Sequence, residues 1–183
     1  MVRVVELCFA VGWSAFWLYW LVAAFSTKRG HVSWSRELPI RAVIAVVVVL
    51  LIRLGAFRGH GVSTDPWRAG VGLVLFALGL GLAIWARVRI GRNWGAPMTQ
   101  KEEPELVTSG PYRLVRHPIY AGILAAGLAT AVALSWMWLT AVALAGVYFV
   151  YSAIVEERYL SGAFPDSYAV YKRSTKWLVP FIL

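Results

Sequence analysis

Four long apolar blocks, separated by short basic stretches, constrain the fold of this chain more than any other feature. A helix needs about 20 mainly apolar residues to cross the hydrocarbon core of a bilayer. Hydrophobic residues make up 60% of the sequence and charged residues only 15%, whereas soluble domains average roughly half and a quarter. We therefore predict an all-α integral membrane protein. The blocks run from about Val4 to Phe25, Leu38 to Phe57, Trp67 to Trp85 and Ile119 to Val155.

The fourth block is too long for one crossing. Its roughly 37 residues would extend about 55 Å as one straight helix, and the hydrocarbon core is only about 30 Å thick. We expect the chain to fold back near Leu134-Ser135-Trp136, so that the last two helices form a hairpin. This gives about five transmembrane helices.

The distribution of basic residues predicts an orientation. If the N-terminus is outside, all but four of the 18 Lys and Arg residues lie in inner segments, the exceptions being Arg3, Arg53, Arg58 and Arg68. The positive-inside rule therefore favours a cytoplasmic C-terminus. A basic inner rim facing anionic lipid also explains the net charge of +9, and we expect no nucleic-acid partner.

The cysteine and histidine patterns give no sign of a metal centre or a disulfide framework. Cys8 is the only cysteine, and His31, His60 and His117 show no ligand spacing. We therefore expect no metal. The first block is long and rich in Trp, without a clear cleavage site, so it is interpreted as a retained span and not as a signal peptide.

The first three blocks carry no evident chemistry. Aromatic residues of the first block are interpreted as interfacial or packing groups. Glycines of the third block are interpreted as sites of close helix approach. The aromatic residues are Trp13, Trp17, Tyr19 and Trp20, and the glycines are Gly70, Gly72, Gly79 and Gly81.

The segment from Arg87 to Pro118 differs from the blocks around it. It is polar, contains four prolines and is about 30 residues long; connections of that length without an obvious helix are uncommon and often functional. It ends in Arg116-His117-Pro118 at the mouth of the fourth predicted span. Alone, this tripeptide also fits a solvated basic loop with a proline at a helix start.

The end of the fifth predicted span strengthens a functional interpretation. Tyr148, Ser152 and Glu156 have the spacing of one helix face. Glu156 and Glu157 oppose the positive-inside trend, and acidic groups at that depth usually face a partner or a cavity. The alternative is a solvated pair beside Arg158. Because the last two spans form a hairpin, the Arg-His-Pro segment and the two glutamates should meet on the cytoplasmic side.

Taken together, the ordered motifs resemble the isoprenylcysteine carboxyl methyltransferase family and the related phospholipid methyltransferases. They cover about half of the chain, and the first two spans match only in being hydrophobic. The motifs are Gly91-Arg92-Asn93-Trp94, Leu106-Val107-x-x-Gly110-Pro111-Tyr112-Arg113, Arg116-His117-Pro118-x-Tyr120-x-Gly122, Glu156-Glu157-x-x-Leu160, and Phe164 with Tyr168-x-x-Tyr171 before Pro180.

The resemblance implies methyl transfer from S-adenosylmethionine, bound between the loop before the fourth span and the C-terminal segment. It implies one domain over residues 1–183, with anchor spans in 1–86 and a catalytic core in 87–183. The implied catalytic residues are Arg116, His117, Glu156 and Arg173. The implied cofactor-binding residues are Leu106, Val107, Gly110, Tyr112, Arg113, His117, Pro118, Tyr120, Gly122, Glu156 and Glu157.

The chemistry of the cofactor suits these residue types. Either glutamate can take its ammonium group, and Arg113, Arg116 or His117 can take its carboxylate. The Leu106-Val107 stretch and Tyr112 suit the adenine. An aromatic ring such as that of Tyr120 attracts the sulfonium, and Gly122 is expected to leave room for the ligand.

The acceptor is expected to be lipophilic and to enter from the bilayer, through an opening left by Ala121, Gly122 and Ala125. Helix packing is the alternative role of these small residues. A carboxylate or thiolate acceptor needs no strong base, whereas an amine must be deprotonated, for which His117 or a glutamate is available. The sequence leaves these acceptors open.

Two other functions fit parts of the pattern. Membrane sterol and steroid reductases resemble the same C-terminal core but bind NADPH; the short chain, Gly122 and the glutamate pair favour the methyltransferase. A non-catalytic membrane scaffold that has kept the fold is the third possibility.

Overall fold

The computed structural model describes residues 2–28, 30–32, 34–53, 63–95 and 97–178, and most of them are helical. Two short strands, β1 (Gly30–Val32) and β2 (Thr99–Lys101), pair in antiparallel fashion. Single 3-10 turns occupy Gly91–Asn93 and Gly110–Arg113. The α-helices are α1 (Val2–Ala24), α2 (Trp34–Arg53), α3 (Pro66–Ile90), α4 (Pro118–Ala133), α5 (Trp138–Ala163) and α6 (Pro165–Ser174).

Three of these helices, α1, α3 and α5, are long and apolar enough to cross a membrane, as judged over the described residues. Large apolar side chains cover their outer faces, for example Leu18, Leu78 and Val147, each more than 60% exposed. Soluble monomers rarely expose apolar surface on this scale, and a bilayer would cover it. The predicted all-α membrane architecture is confirmed at this level, while the number of crossings and their orientation stay predictions.

The predicted hairpin is confirmed, because α4 ends at Ala133 and α5 begins at Trp138. Arg68 fastens the turn to the start of α3: its Nε donates to the Val132 carbonyl at 2.9 Å, and its guanidinium lies 5.0 Å from the Trp136 ring centroid. Helices α3 and α5 run past their apolar blocks, and α5 carries the two glutamates in regular helix. The predicted block end at Phe57, together with Arg58 and Pro180, lies outside the described residues.

Small residues let α3 and α4 pack with their backbones in contact. A Cβ atom added to Gly122 would lie 2.6 Å from the Gly79 carbonyl oxygen, and one added to Gly79 would lie 2.7 Å from the Ala126 nitrogen. The packing role predicted for the glycines of α3 is therefore confirmed for Gly72 and Gly79, whereas Gly70 and Gly81 face open space. This contact fixes where α4 begins.

Helix α1 lies against α3 and α4 through aromatic side chains. The Phe9 and Phe76 rings are 4.6 Å apart, and the Trp13 indole donates to Thr130 Oγ1 at 3.2 Å. At the other end, buried Arg87 of α3 donates to the Ala23 carbonyl at 2.6 Å and lies 4.7 Å from the Trp94 ring centroid. The C-terminal ends of α1 and α3 are thereby held together beside the loop that follows α3.

The segment after α1 holds this loop in place. Lys28 donates its amide to the Arg92 carbonyl at 2.8 Å and its ammonium to Glu105 at 2.5 Å. Lys101 Nζ donates to the Lys28 carbonyl at 2.7 Å. Together with the β1–β2 pairing, these bonds hold the loop across the ends of α4 and α5. The loop, in which no obvious helix was predicted, contains a strand and two single 3-10 turns.

Candidate active site

A cavity of about 430 Å³ opens where α1, α4 and α5 meet the loop between α3 and α4. Its volume lies within the range of about 300–1,000 Å³ usual for small-molecule sites. Aromatic and aliphatic side chains form most of the walls, and the polar groups concentrate where α4 begins and α5 leaves its apolar block. This mixture suits a ligand with one apolar and one charged part.

Of the two adjacent glutamates of α5, Glu156 is the one that lines the cavity. Its Oε1 accepts hydrogen bonds from the Tyr120 hydroxyl at 2.5 Å and the Met98 amide at 3.2 Å, and its Oε2 lies 3.5 Å from His117 Nδ1. Met98 adopts a positive φ of 63°, a conformation that costs energy for a residue with a side chain. The fold therefore holds a strained loop residue whose amide is directed at Glu156.

Glu157 faces the other way and does not line the cavity. Arg116 Nε donates to its Oε1 at 2.6 Å, and Lys172 Nζ lies 2.8 Å from its Oε2. Arg116 also donates through Nη1 to the Thr175 carbonyl at 2.6 Å. Glu157 thus joins α5 to α6 and orients Arg116, which does line the cavity.

His117 lies between the two glutamates. Its ring stacks on Tyr120 with centroids 5.6 Å apart, and Tyr120 stacks on Phe149 at 4.5 Å. Burial lowers the pKa of His117, but the adjacent carboxylates of Glu156 and Glu157 outweigh burial and leave that pKa raised above its ordinary 6.5. The imidazole is therefore held as a cation and a proton donor to a higher pH than usual.

Three cavity-lining residues carry a buried polar atom with no hydrogen-bond partner in the described part of the chain. They are His117 Nε2, Thr99 Oγ1 and Tyr168 Oη. Burial and the charge of Glu157 raise the pKa of Tyr168, which keeps its hydroxyl protonated and able to donate. Buried polar groups are nearly always hydrogen-bonded, so these three atoms are available to water or to a ligand in the cavity.

The structure gathers most of the predicted site residues around this cavity. The contacts between the Arg-His-Pro segment and the glutamates, predicted from the hairpin, are confirmed. The predicted residues that line the cavity are Leu106, Val107, Tyr112, Arg116, His117, Pro118, Tyr120 and Glu156.

Other predicted site residues lie elsewhere. Arg113 and Arg173 are exposed and point away from the cavity lining. Gly110 has a positive φ of 63° and packs against the side chain of Arg89, so it shapes the turn before Tyr112. The expectation that Gly122 leaves room for a ligand is wrong, because the space beside it is filled by the backbone of α3.

Two further expectations change with the geometry. Ala121 and Ala125 do not line this cavity, so the predicted opening through the small residues of α4 stays a prediction. Of the predicted polar stripe on α5, Tyr148 and Glu156 line the cavity, whereas the Ser152 hydroxyl is buried and donates to the Tyr148 carbonyl at 2.8 Å.

Sequence reasoning missed several residues of the cavity wall. Trp17 and Trp20 line it from α1, although they were interpreted as interfacial or packing residues. Their spacing of three residues places them on one helix face, which is a signal that the sequence did contain. Thr99 and Lys101 line it from β2, a strand without a strong pattern of its own.

Comparison with known proteins gives a family for this architecture. The profile of the phospholipid methyltransferase family matches residues 67–167, more than half of the chain. The resemblance drawn from the motifs is thereby confirmed.

Individual relatives differ in what their names describe. The chain is 35% identical to the cobalt-zinc-cadmium resistance protein CzcN of Cupriavidus metallidurans over 73% of its own length. It is 32% identical to protein-S-isoprenylcysteine O-methyltransferase B of Arabidopsis thaliana over 67%, and 32% identical to the methanethiol S-methyltransferase of a Pseudomonas species over 80%. The chain spans 61%, 64% and 63% of the length of these three relatives.

Proposed function

The chain belongs to the phospholipid methyltransferase family, and we propose that it transfers a methyl group from S-adenosylmethionine to a lipophilic acceptor. The observation that carries the proposal is the cavity in which Glu156 and several unsatisfied hydrogen-bond donors lie beside apolar walls. Relatives named as isoprenylcysteine and methanethiol methyltransferases support methyl transfer as the reaction class.

The polar end of the cavity fits the amino-acid part of S-adenosylmethionine. A carboxylate has about four acceptor positions, and Glu156 uses two of them on Oε1. Its Oε2 therefore has capacity for an ammonium group. Arg116, His117 Nε2 and the Tyr168 hydroxyl supply donors for a carboxylate on the side nearest α6.

The apolar walls fit the remainder of the donor. Leu106, Val107 and Tyr112 form a slot suited to the adenine. When bound, S-adenosylmethionine supplies an electrophilic methyl group on a positively charged sulfur. The face of an aromatic ring attracts such a charge, and Tyr120 and Trp94 present rings to the cavity. Apolar walls also exclude water, which favours charge neutralisation between the two reactants.

The deeper part of the cavity fits the tail of a lipophilic acceptor. Tyr148 lies two helical turns before Glu156, so the cavity extends about 12 Å into the apolar block of α5. Trp17, Trp20 and Ile123 line the same apolar part. An isoprenylcysteine-type carboxylate or a related lipid is the proposed acceptor, with the reacting group at the polar end and the tail among these side chains.

The proposed topology has five spans, an external N-terminus and a site open to the cytoplasm, within one domain over residues 1–183. The positive-inside distribution supports it, as does the solubility of the charged donor in water. Reporter fusions after Phe57 and after Leu183 test it. The first should report an external position and the second a cytoplasmic one, and the reverse pattern rules the topology out.

Calorimetric titration of the purified protein in nanodiscs tests the donor. Binding of S-adenosylmethionine and of its demethylated product S-adenosylhomocysteine, without binding of NADPH, is expected. Binding of NADPH alone would instead support a reductase, and binding of none of the three would support a scaffold without this chemistry.

A further inference from the structure

Strand β2 presents a hydroxyl and a cation to the cavity. Successive residues of a strand point to opposite faces, and Thr99 and Lys101 line the cavity while Gln100 between them is exposed. Pairing with β1 and the hydrogen bond from the Tyr159 hydroxyl to the Lys101 carbonyl, at 2.7 Å, fix the strand on α5. The two polar side chains are therefore held on the inner side of the loop.

Lys101 is a cavity cation without an acidic partner among the described residues. Its ammonium donates to the Lys28 carbonyl at 2.7 Å, which leaves two of its three protons unused. The neighbouring charges are already matched, since Glu105 pairs with Lys28 and Arg116 pairs with Glu157. The buried Thr99 hydroxyl beside it also has no partner in the described part of the chain.

Two other cations, Arg87 and Lys28, act on Lys101. Burial, followed by the charges of Arg87 and Lys28, lowers the pKa of Lys101. An anion placed here relieves this repulsion, whereas an alkylammonium group adds to it. The region around β2 therefore discriminates between ligands by the sign of their charge.

The groups able to deprotonate an acceptor, Glu156 and His117, are already engaged. Glu156 Oε1 accepts two hydrogen bonds, and its Oε2 is the proposed site of the ammonium group of S-adenosylmethionine. His117 is itself flanked by both glutamates. An ammonium acceptor would need one of these groups as a base before it could react. A carboxylate or thiolate needs none.

We propose that Thr99 and Lys101 form the subsite of an anionic methyl acceptor, a carboxylate or a thiolate, in the methyl-transfer reaction proposed above, on which this inference rests. The acceptor oxygen or sulfur donates an electron pair to the methyl carbon and forms the new bond. The bond from that carbon to the donor sulfur breaks, and its electron pair stays on the sulfur, which becomes a neutral thioether. No proton is gained or lost.

Binding without any donor gives a direct test. Octanoate and octylamine share one tail and differ in charge, and each is titrated by calorimetry into the protein in nanodiscs. Octanoate should bind more tightly than octylamine. Lys101→Met should weaken the binding of octanoate about tenfold or more, as expected for the loss of a charged hydrogen bond. The matched control is Lys176→Met, because Lys176 is exposed and outside the cavity lining.

Equal octanoate affinity in wild type and Lys101→Met would overturn the subsite, as would tighter binding of octylamine. A weaker affinity for S-adenosylmethionine in Lys101→Met, with octanoate unaffected, would overturn it too, because Lys101 would then serve the donor. Failure of S-adenosylmethionine to bind the wild type would defeat the proposed function, while the octanoate titration would still decide the anion subsite.

Turnover with labelled S-adenosylmethionine extends the test to the reaction. Octanoate, which is ionised at pH 7, should accept the methyl group, and octylamine should react at least tenfold more slowly. In Lys101→Met, the KM for the anionic acceptor should rise while the dissociation constant of the donor stays unchanged. Comparable methylation of octylamine, or no methylation of octanoate with the donor bound, would overturn the proposal.

Discussion

Glu156 and Glu157 are neighbours in α5, but they lie in different surroundings. Glu156 lines the cavity and keeps hydrogen-bonding capacity on Oε2. Glu157 is held between Arg116 and Lys172, away from the cavity. Successive residues of a helix point about 100° apart, so one carboxylate meets the ligand space and the other meets α6. An acidic pair in a sequence can thus divide into a binding group and a structural group.

The largest expected effect is on stability, from Glu157→Ala. The variant leaves Arg116 without its carboxylate in a buried position, and breaking a buried ion pair costs about 3–5 kcal/mol. For a chain of this size, that corresponds to a fall in Tm of roughly 6–20 °C. Thermal unfolding in nanodiscs measures it, with exposed Glu103→Ala as the control. An unchanged Tm would mean that the α5–α6 ion pair contributes little.

The next largest expected effect is a loss of affinity for S-adenosylmethionine in Glu156→Gln and in His117→Ala. The loss of one charged hydrogen bond weakens the binding of S-adenosylmethionine by about 10- to 150-fold. Glutamine can still accept from the Tyr120 hydroxyl and the Met98 amide, so the Tm of Glu156→Gln should stay close to wild type. Calorimetry reports the affinity, and Arg158→Gln on the exposed side of α5 is the control. Wild-type affinity in both site variants would return these residues to a structural role.

A smaller effect is a change in the pKa of His117. Both glutamates raise this pKa against the effect of burial, so Glu156→Gln should lower it. Because the folded pKa is raised, the stabilisation from His117 is complete below about pH 6.5 and is lost as the pH rises through the folded value. The Tm of the wild type should therefore fall as the pH rises through the folded pKa of His117, and the Tm of Glu156→Gln should fall less.

Nitrogen-15 NMR of the imidazole, in a background with His31→Asn and His60→Asn, follows the titration of His117 directly. A wild-type pKa below 6.5 would show that burial dominates over the two glutamates.

The smallest expected effect concerns the second cation on Glu157. The Lys172 side chain is 52% exposed, and exposed ion pairs contribute about 0–1 kcal/mol. Lys172→Met should therefore lower the free energy of unfolding by less than about 1 kcal/mol, measured by the same thermal assay. A loss as large as that of Glu157→Ala would assign the anchoring of α6 to Lys172 and not to Arg116.

The contact between His117 and Glu156 could be predicted from the sequence, because the second helix of a hairpin ends at the same membrane depth at which the first helix begins. The apolar block was too long for one span, and that length alone placed the turn at Leu134. The different roles of the two glutamates could not be predicted in the same way, since they depend on the rotation of α5 against α6.

Gly122 shows a second limit of sequence reasoning. Its place in a motif suggested space for a ligand, yet the rotation of α4 directs it at the backbone of α3. The sequence could not predict that Trp20 and Lys101 line the cavity either. Helix α1 is placed at the site by the contact of Trp20 with Trp94, and β2 is placed there by its pairing with β1. Such contacts join segments that are far apart in the sequence, and they produce no periodic pattern of residues in either segment.

Arg87 connects α1 to the loop that carries Trp94. The family profile covers residues 67–167, so Trp17 and Trp20 of α1 lie outside the matched part of the chain. The polar groups around Glu156 therefore lie within the matched part of the chain, and one apolar wall of the cavity lies outside it. Replacement of the first helix by that of a relative would exchange the wall and keep the reacting end. Under the proposed function, this exchange would change the wall proposed to hold the acceptor tail and leave the proposed methyl-transfer site in place.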